Sequence, residues 1–168
     1  MNTRFSDLIA YFRTLAAQHV AIGHSSAEKH FYRIELEEIL SGLKNVSYPA
    51  LILEGYRYSL QDKQSDNILK NRTGAFCLVD HLTDPGDFDG IDTIYDNMEA
   101  ICDDILARIK ADKRNPDVGV VRNFDLESVE VALIANRNDR NYGIRCTYRV
   151  SAPLDNDVDP SKWDTSKT

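Results

Sequence analysis

Residues 142–152 read YGIRCTYRVSA, and this stretch decides the fold class. Tyr142, Ile144, Cys146, Tyr148 and Val150 alternate with Arg145, Thr147, Arg149 and Ser151, the period of a strand with one face on a core and one in water. Such a strand needs partners. Working back through the polar loop 136–141, residues 125–135 form a second apolar run, so the two make a hairpin. Before them, 91–109 read IDTIYDNMEAICDDILARI. There Ile91, Ile94, Tyr95, Met98, Ile101, Cys102, Ile105, Leu106 and Ile109 recur at helical spacing through about five turns. Asp92, Asp96 and Glu99 open this helix, and Arg108, Lys110, Lys113 and Arg114 close it, as the helix dipole favours.

Further back, Thr83-Asp84-Pro85-Gly86-Asp87-Phe88-Asp89-Gly90 is turn chemistry throughout. Residues 50–60, with Tyr56, Tyr58 and Leu60 alternating against Arg57 and Ser59, and residues 74–82, with Ala75 to Val79 apolar, read as another hairpin; its long polar tip is 61–73. Two helices precede it. Phe5, Leu8, Ile9, Phe12, Leu15, Ala16, His19 and Val20 define an amphipathic helix over 3–22. Ser25-Ser26-Ala27-Glu28 has capping-box spacing and introduces a second helix over 26–43. The expected order is ααββαββ: an α+β domain over 1–152, with a mainly antiparallel sheet of about four strands and helices on one face. Residues 153–168 form a polar tail whose one large apolar residue is Trp163.

The chain of 168 residues carries a net charge of -7, with 42% hydrophobic and 28% charged residues. That is globular composition with a length sufficient for one core. No apolar run approaches the ~18 residues that cross a bilayer, and 1–20 lacks a signal-peptide core, so no membrane partner and no export are expected. Cys77, Cys102 and Cys146 are odd in number and set in apolar runs, as buried thiols in a reducing compartment would be. The acidic balance opposes nonspecific nucleic-acid binding, and no basic recognition helix is visible.

The residues offer little chemistry. His24, His30 and Glu28 do not have the spacing of a same-face metal-ligand set. Asp87, Asp89 and Gly90 imitate a calcium loop, but Pro85 stands where the first ligand belongs and Asp96 at the twelfth position; Asp155, Asp157 and Asp159 repeat the spacing with Pro160 in place of glycine. No P-loop, dinucleotide fingerprint, zinc pair or nucleophile elbow occurs, so no catalytic, cofactor or metal residue is assigned. A Cys77, His81 and Asp80 set is the one arrangement open to nucleophilic chemistry, with a buried structural thiol favoured over it.

Charge is the less routine feature. From Asp80 to Asp104 the chain holds nine acids and no Lys or Arg. A solvated helix face explains most of this; an acidic wall that repels passing DNA is the functional alternative. Lys63, Lys70 and Arg72 on the 61–73 tip could meet acids of a neighbouring subunit.

Taken together, the opening helix 5–20, the entry Tyr48-Pro49-Ala50-Leu51-Ile52-Leu53-Glu54, the strand Gly74-Ala75-Phe76-Cys77-Leu78-Val79, the helix 91–109 and the closing strand Ile144 to Val150 resemble the tail terminator or tail-completion proteins of tailed bacteriophages. The resemblance covers about residues 3–152 and rests on element order, without a diagnostic motif; the second helix and the Trp163 tail exceed the shortest members. It implies a non-enzymatic assembly protein without cofactor: a homo-oligomeric ring, usually of six subunits, that caps the tail tube and joins it to the head. Its partners would be copies of itself, tail-tube and head-connector proteins, and DNA passing without sequence-specific binding, in the host cytoplasm during assembly and then in the virion tail. Another connector or a baseplate component is the neighbouring alternative. Subunit contacts would involve sheet edges, the 61–73 tip with Lys63, Lys70 and Arg72, and the tail with Trp163; Asp92, Asp96, Glu99 and Asp103 would face the lumen.

Overall fold

A computed structural model describes residues 4–33, 46–62, 68–84, 86–154 and 158–164. Among these residues the elements are α1 (Phe5–Gln18), β1 (Phe31–Arg33), β2 (Ala50–Leu53), β3 (Arg57–Gln61), β4 (Leu69–His81), α2 (Phe88–Asp112), β5 (Phe124–Asn136) and β6 (Asn141–Pro153), with single 3-10 turns at Gly119–Val121 and Pro160–Lys162. The α+β class stands. The sheet is mixed and has six strands rather than about four, in the order β1-β2-β4-β6-β5 with β3 also on β4. Its parallel pair is β1 with β2; the other pairings are antiparallel.

The long strands β4 and β6 form the spine, paired from Leu69↔Pro153 to His81↔Asn141. Alternation along β6 does what its sequence promises: Tyr142, Ile144, Cys146, Tyr148 and Val150 are buried on the face that both helices cover. On the opposite, back face Arg145, Thr147 and Ser151 are half-buried and Arg149 is exposed. Helix α1 buries Leu8, Ile9, Phe12, Leu15 and Ala16, and α2 buries Ile94, Met98, Ile101, Cys102, Ile105 and Ile109, in the same core. Phe12 joins the layers, with its ring 5.4 Å from that of Phe76 and 5.6 Å from that of Tyr148. Gly143 is imposed by close approach, since a Cβ there would stand 1.9 Å from the Leu78 carbonyl oxygen of the neighbouring strand.

Three expectations change. The capping-box spacing builds a turn instead of a helix start: Ser25 Oγ accepts from the Glu28 N–H at 3.0 Å, and Ser25 N–H donates to the Glu28 carbonyl at 2.9 Å. The chain then enters β1 beside β2, with Phe31 in the core, so no helix begins at residue 26; residues 34–43, the rest of that expected helix, lie outside the described residues. Second, the expected strand 50–60 is two strands. Leu53 pairs with Phe76 but Arg57 with Thr73, so residues 54–56 oppose Gly74 and Ala75, and the one-residue slip exchanges the faces of the two halves. Third, the hairpin tip is shorter than 61–73, because Leu69 to Thr73 already belong to β4.

The β2–β4 pairing before the slip gives the back face its own small cluster, Ala50, Ile52, Cys77 and Val79, packed with Tyr32, Val46, Tyr48 and Ile134. No helix among the described residues is long and apolar enough to cross a membrane.

Candidate functional site

The residues open to nucleophilic chemistry do not converge. Cys77 is buried on the back face, and its thiol donates to Glu54 Oε1 at 3.3 Å. Burial, with the Glu54 charge beside it, pushes this thiol far above its ordinary range, the reverse of an activated nucleophile. His81 ends the strand four residues on, roughly 13 Å away along an extended chain. Its Nδ1 is 3.2 Å from Asn141 Oδ1, its ring stacks on Tyr48, and the Asp80 carboxylate accepts from the His81 backbone N–H at 2.7 Å rather than from the ring.

The expected turn and cap roles account for the other candidates. His30 Nδ1 meets the Pro49 carbonyl at 2.8 Å, its Nε2 lies 3.4 Å from Glu28, and its backbone N–H donates to His24 Nδ1 at 3.2 Å. These contacts tie the 24–30 turn to β2. Asp87 Oδ1 accepts from Gly90 N–H at 2.8 Å as the cap of α2, and Asp84 Oδ1 from Gly86 N–H at 2.9 Å. Asp159 closes the turn at Ser161 and pairs with Lys162; Asp155 and Asp157 lie outside the described residues. Among the described residues, no group of three or more His, Cys, Asp or Glu side chains is arranged to hold a metal ion.

The most constrained polar feature is an ion pair the sequence does not reveal. Glu54, at the β2–β3 slip, is 5% exposed, and Arg145 on β6 donates to both its oxygens, at 2.8 and 2.7 Å. The fork-on-carboxylate geometry fixes the junction across β4, and Glu54 in turn raises the guanidinium's affinity for its proton. Gly55, Arg57, Thr73, Gly74, Ala75 and Thr147 border it in a shallow polar recess.

The expected contact residues divide. Lys63 lies outside the described residues. Lys70 projects from β4 with its ammonium 5.0 Å from the Tyr58 ring centroid. Arg72 is 2% exposed and sits 5.4 Å from the Tyr56 ring centroid, so it supports the hairpin from within instead of reaching outward; its place opposite Val150 puts it on the helix-covered face. Trp163 is 67% exposed. Asp92, Asp96, Glu99 and Asp103 are exposed, and their four-three-four spacing makes one stripe on α2 turned away from the sheet.

Sequence reading pointed to sheet edges as contact elements but did not identify the residues exposed there. Tyr58 and Leu60 on β3 are 60% and 54% exposed, and Val131 and Leu133 on β5 are 44% and 62% exposed. The alternation was legible, but apolar side chains on an alternating strand are read as core unless the strand is known to stand at an edge. No family model, no curated protein and no solved structure matches the chain.

Proposed function

We propose that this chain is a structural assembly protein of a phage or prophage tail, a non-enzymatic subunit that closes with copies of itself, six in the reading favoured by the resemblance, into a ring. The ring ends the tail tube and joins it to the head, forming in the host cytoplasm and remaining in the virion. The observation that carries this reading is the pair of opposite sheet edges, β3 and β5, each keeping two large apolar side chains in water. A monomer gains nothing from either; a subunit whose two different edges each await a partner associates head to tail, and such contacts close into rings when the rotation allows. The ring's position at the end of a tail tube rests on the resemblance of the sequence to tail terminators. The Cys77 alternative has no support from its surroundings, since the thiol is buried beside a carboxylate.

The role is tested by adding the purified chain to polymerising tail-tube protein and imaging the tubes by electron microscopy. Rings at one end of each tube, with tube lengthening arrested there, are expected. Tubes that lengthen unchanged and bear no terminal density would refute the role.

A further inference from the structure

The two open edges differ from each other in ways that match. Tyr58 stands opposite Arg72, which stands opposite Val150; Val131 stands opposite Cys146 and Leu133 opposite Ile144. All four exposed apolar side chains therefore lie on the helix-covered face, two at each margin of one sheet. Backbone direction follows the same alternation. Ala75, on the back face, turns its carbonyl to the Glu54 N–H, so back-face residues of β4 bond towards β2 and β3; Ser151, on the back face of β6, turns its N–H to Asn123 just before β5. The pattern of an antiparallel ladder then has Arg57, Ser59 and Gln61 bonding inward to β4, and Glu130 and Ala132 inward to β6. The N–H and C=O groups of Tyr58, Leu60, Val131 and Leu133 point outward. Outward-pointing backbone and exposed apolar side chain thus belong to the same four residues.

Charge distinguishes the edges and favours their union. Strand β5 carries Glu127 and Glu130, with no Lys or Arg between Phe124 and Asn136; Asp125 is already paired with Arg149 of β6 at 3.1 Å. The β3 side carries Arg57, exposed on β3, and Lys70, half-buried on β4. Two β5 edges would repel, whereas one of each kind attracts.

We propose that copies of this chain join by pairing the edge of β3 in one copy, antiparallel, with the edge of β5 in the next, Tyr58 opposite Leu133 and Leu60 opposite Val131. This rests on the ring reading and specifies its interface. Rotation about a ring axis preserves the sense of strands that run roughly along it; since β3 runs opposite to β5, the joint between copies is antiparallel. The stagger is also suitable. Ser59 is level with Asn71 of β4, while Ala132, through Arg145, is level with Cys77, six residues further along. Six residues at ~3.3 Å against four strands at ~4.8 Å give a tilt near ~45°, at the upper end of the tilts that closed barrels adopt.

The hand of the tilt decides which face lines the bore. For L-residues, the Ala75 carbonyl direction places β3 to the left and β5 to the right of an upward β4 seen from the helices. Each following copy thus rises to the right, and on that view the strands lean right of the ring axis. The usual twist between neighbouring strands, ~−20 to −25°, makes strands in a closed ring lean right when seen from outside. Helices α1 and α2 are then outside, and Asp92, Asp96, Glu99 and Asp103 face away from the bore, contrary to the lumen-facing role expected of them. The back face, with Arg57, Thr73, Thr147 and Arg149, faces the bore.

Cysteine pairs test the register. Tyr58→Cys combined with Leu133→Cys places thiols across a pair whose Cα atoms would be ~5.5 Å apart, within disulfide reach. Both sites are exposed, and single variants monitor folding by circular dichroism. Mild oxidation is expected to give a disulfide-linked ladder that ends at the native ring mass, many-fold above the yield from Ser59→Cys with Leu133→Cys, whose side chains fall on opposite faces. Oligomers of native mass without cross-linking above that control would overturn the interface and leave the ring standing. A chain that stays monomeric at every concentration would overturn both.

Discussion

Replacing Arg145 by alanine is expected to destabilise the fold by ~3–5 kcal/mol, because a buried carboxylate loses the cation that holds it. Glu54 has a side chain 6% exposed, while that of Arg145 is 31% exposed, so the carboxylate is the group that cannot turn to water. It accepts two charged hydrogen bonds, at 2.7 and 2.8 Å, and one from the Cys77 thiol at 3.3 Å. After the substitution only the weak thiol donor remains among the described residues. Arg145→Lys should cost less, ~1–2 kcal/mol, since a point charge keeps the attraction but loses the fork. The pair Glu54→Leu with Arg145→Met should cost less than Arg145→Ala alone, because no charge is left buried. Urea unfolding at neutral pH, with stability taken from midpoint and slope, measures all three. A cost below ~1 kcal/mol for Arg145→Ala, or a double variant at least as damaged as the single one, would show that the pair does not carry the load assigned to it. The consequence reaches function, because the pair pins the slip at 54–56 from which the β3 edge projects.

Stability should fall as pH rises above about 9, the ordinary thiol value, because folding holds Cys77 well above it. The folded chain then keeps a proton that the unfolded chain releases, so this contribution is complete below that pH and declines above it, at up to ~1.4 kcal/mol per pH unit per thiol. Burial and the Asp112 contact raise Tyr11 in the same sense at higher pH. Urea midpoints that stay flat from neutral pH through the thiol and tyrosine ranges would contradict this. Gly143→Ala should cost more than ~3 kcal/mol or prevent folding, since its Cβ would overlap the Leu78 carbonyl at 1.9 Å; an unchanged melting temperature would refute the close approach. Neutralising the α2 stripe with Asp92→Asn, Asp96→Asn, Glu99→Gln and Asp103→Asn should leave stability within ~1 kcal/mol and assembly mass unchanged. Loss of the oligomer in that variant would place the stripe in an interface.

The elements that sequence reading placed well are those whose apolar period has a single interpretation. Ile94, Met98, Ile101, Cys102, Ile105 and Ile109 fit a helix and no strand, and Ile144, Cys146, Tyr148 and Val150 fit a strand and no helix. The segment at 25–33 misled because capping-box spacing reports a local hydrogen bond, which Ser25 and Glu28 do make, and the same bond serves a tight turn. The slip at 54–56 was hidden because one extra residue in a strand leaves composition unchanged while inverting faces. Glu54 and Arg145 lie 91 residues apart, and nothing local to either marks the other as its partner. The contact surfaces divide for a related reason. Sequence pointed to sheet edges in general and, by residue, to Lys63, Lys70, Arg72 and Trp163; the edge residues Tyr58, Leu60, Val131 and Leu133 look like core until strand order shows that no strand lies beyond them among the described residues.

Whether this chain builds a closed ring is most directly decided by its mass in solution, followed by analytical ultracentrifugation over a concentration series at low and moderate salt. One discrete oligomer is expected to grow at the expense of monomer and to stop at a fixed mass, six chains in the favoured reading, and the variant Leu60→Lys with Leu133→Lys is expected to remain monomeric. A wild-type chain that stays strictly monomeric throughout, even with tail-tube protein added, would contradict the central claim.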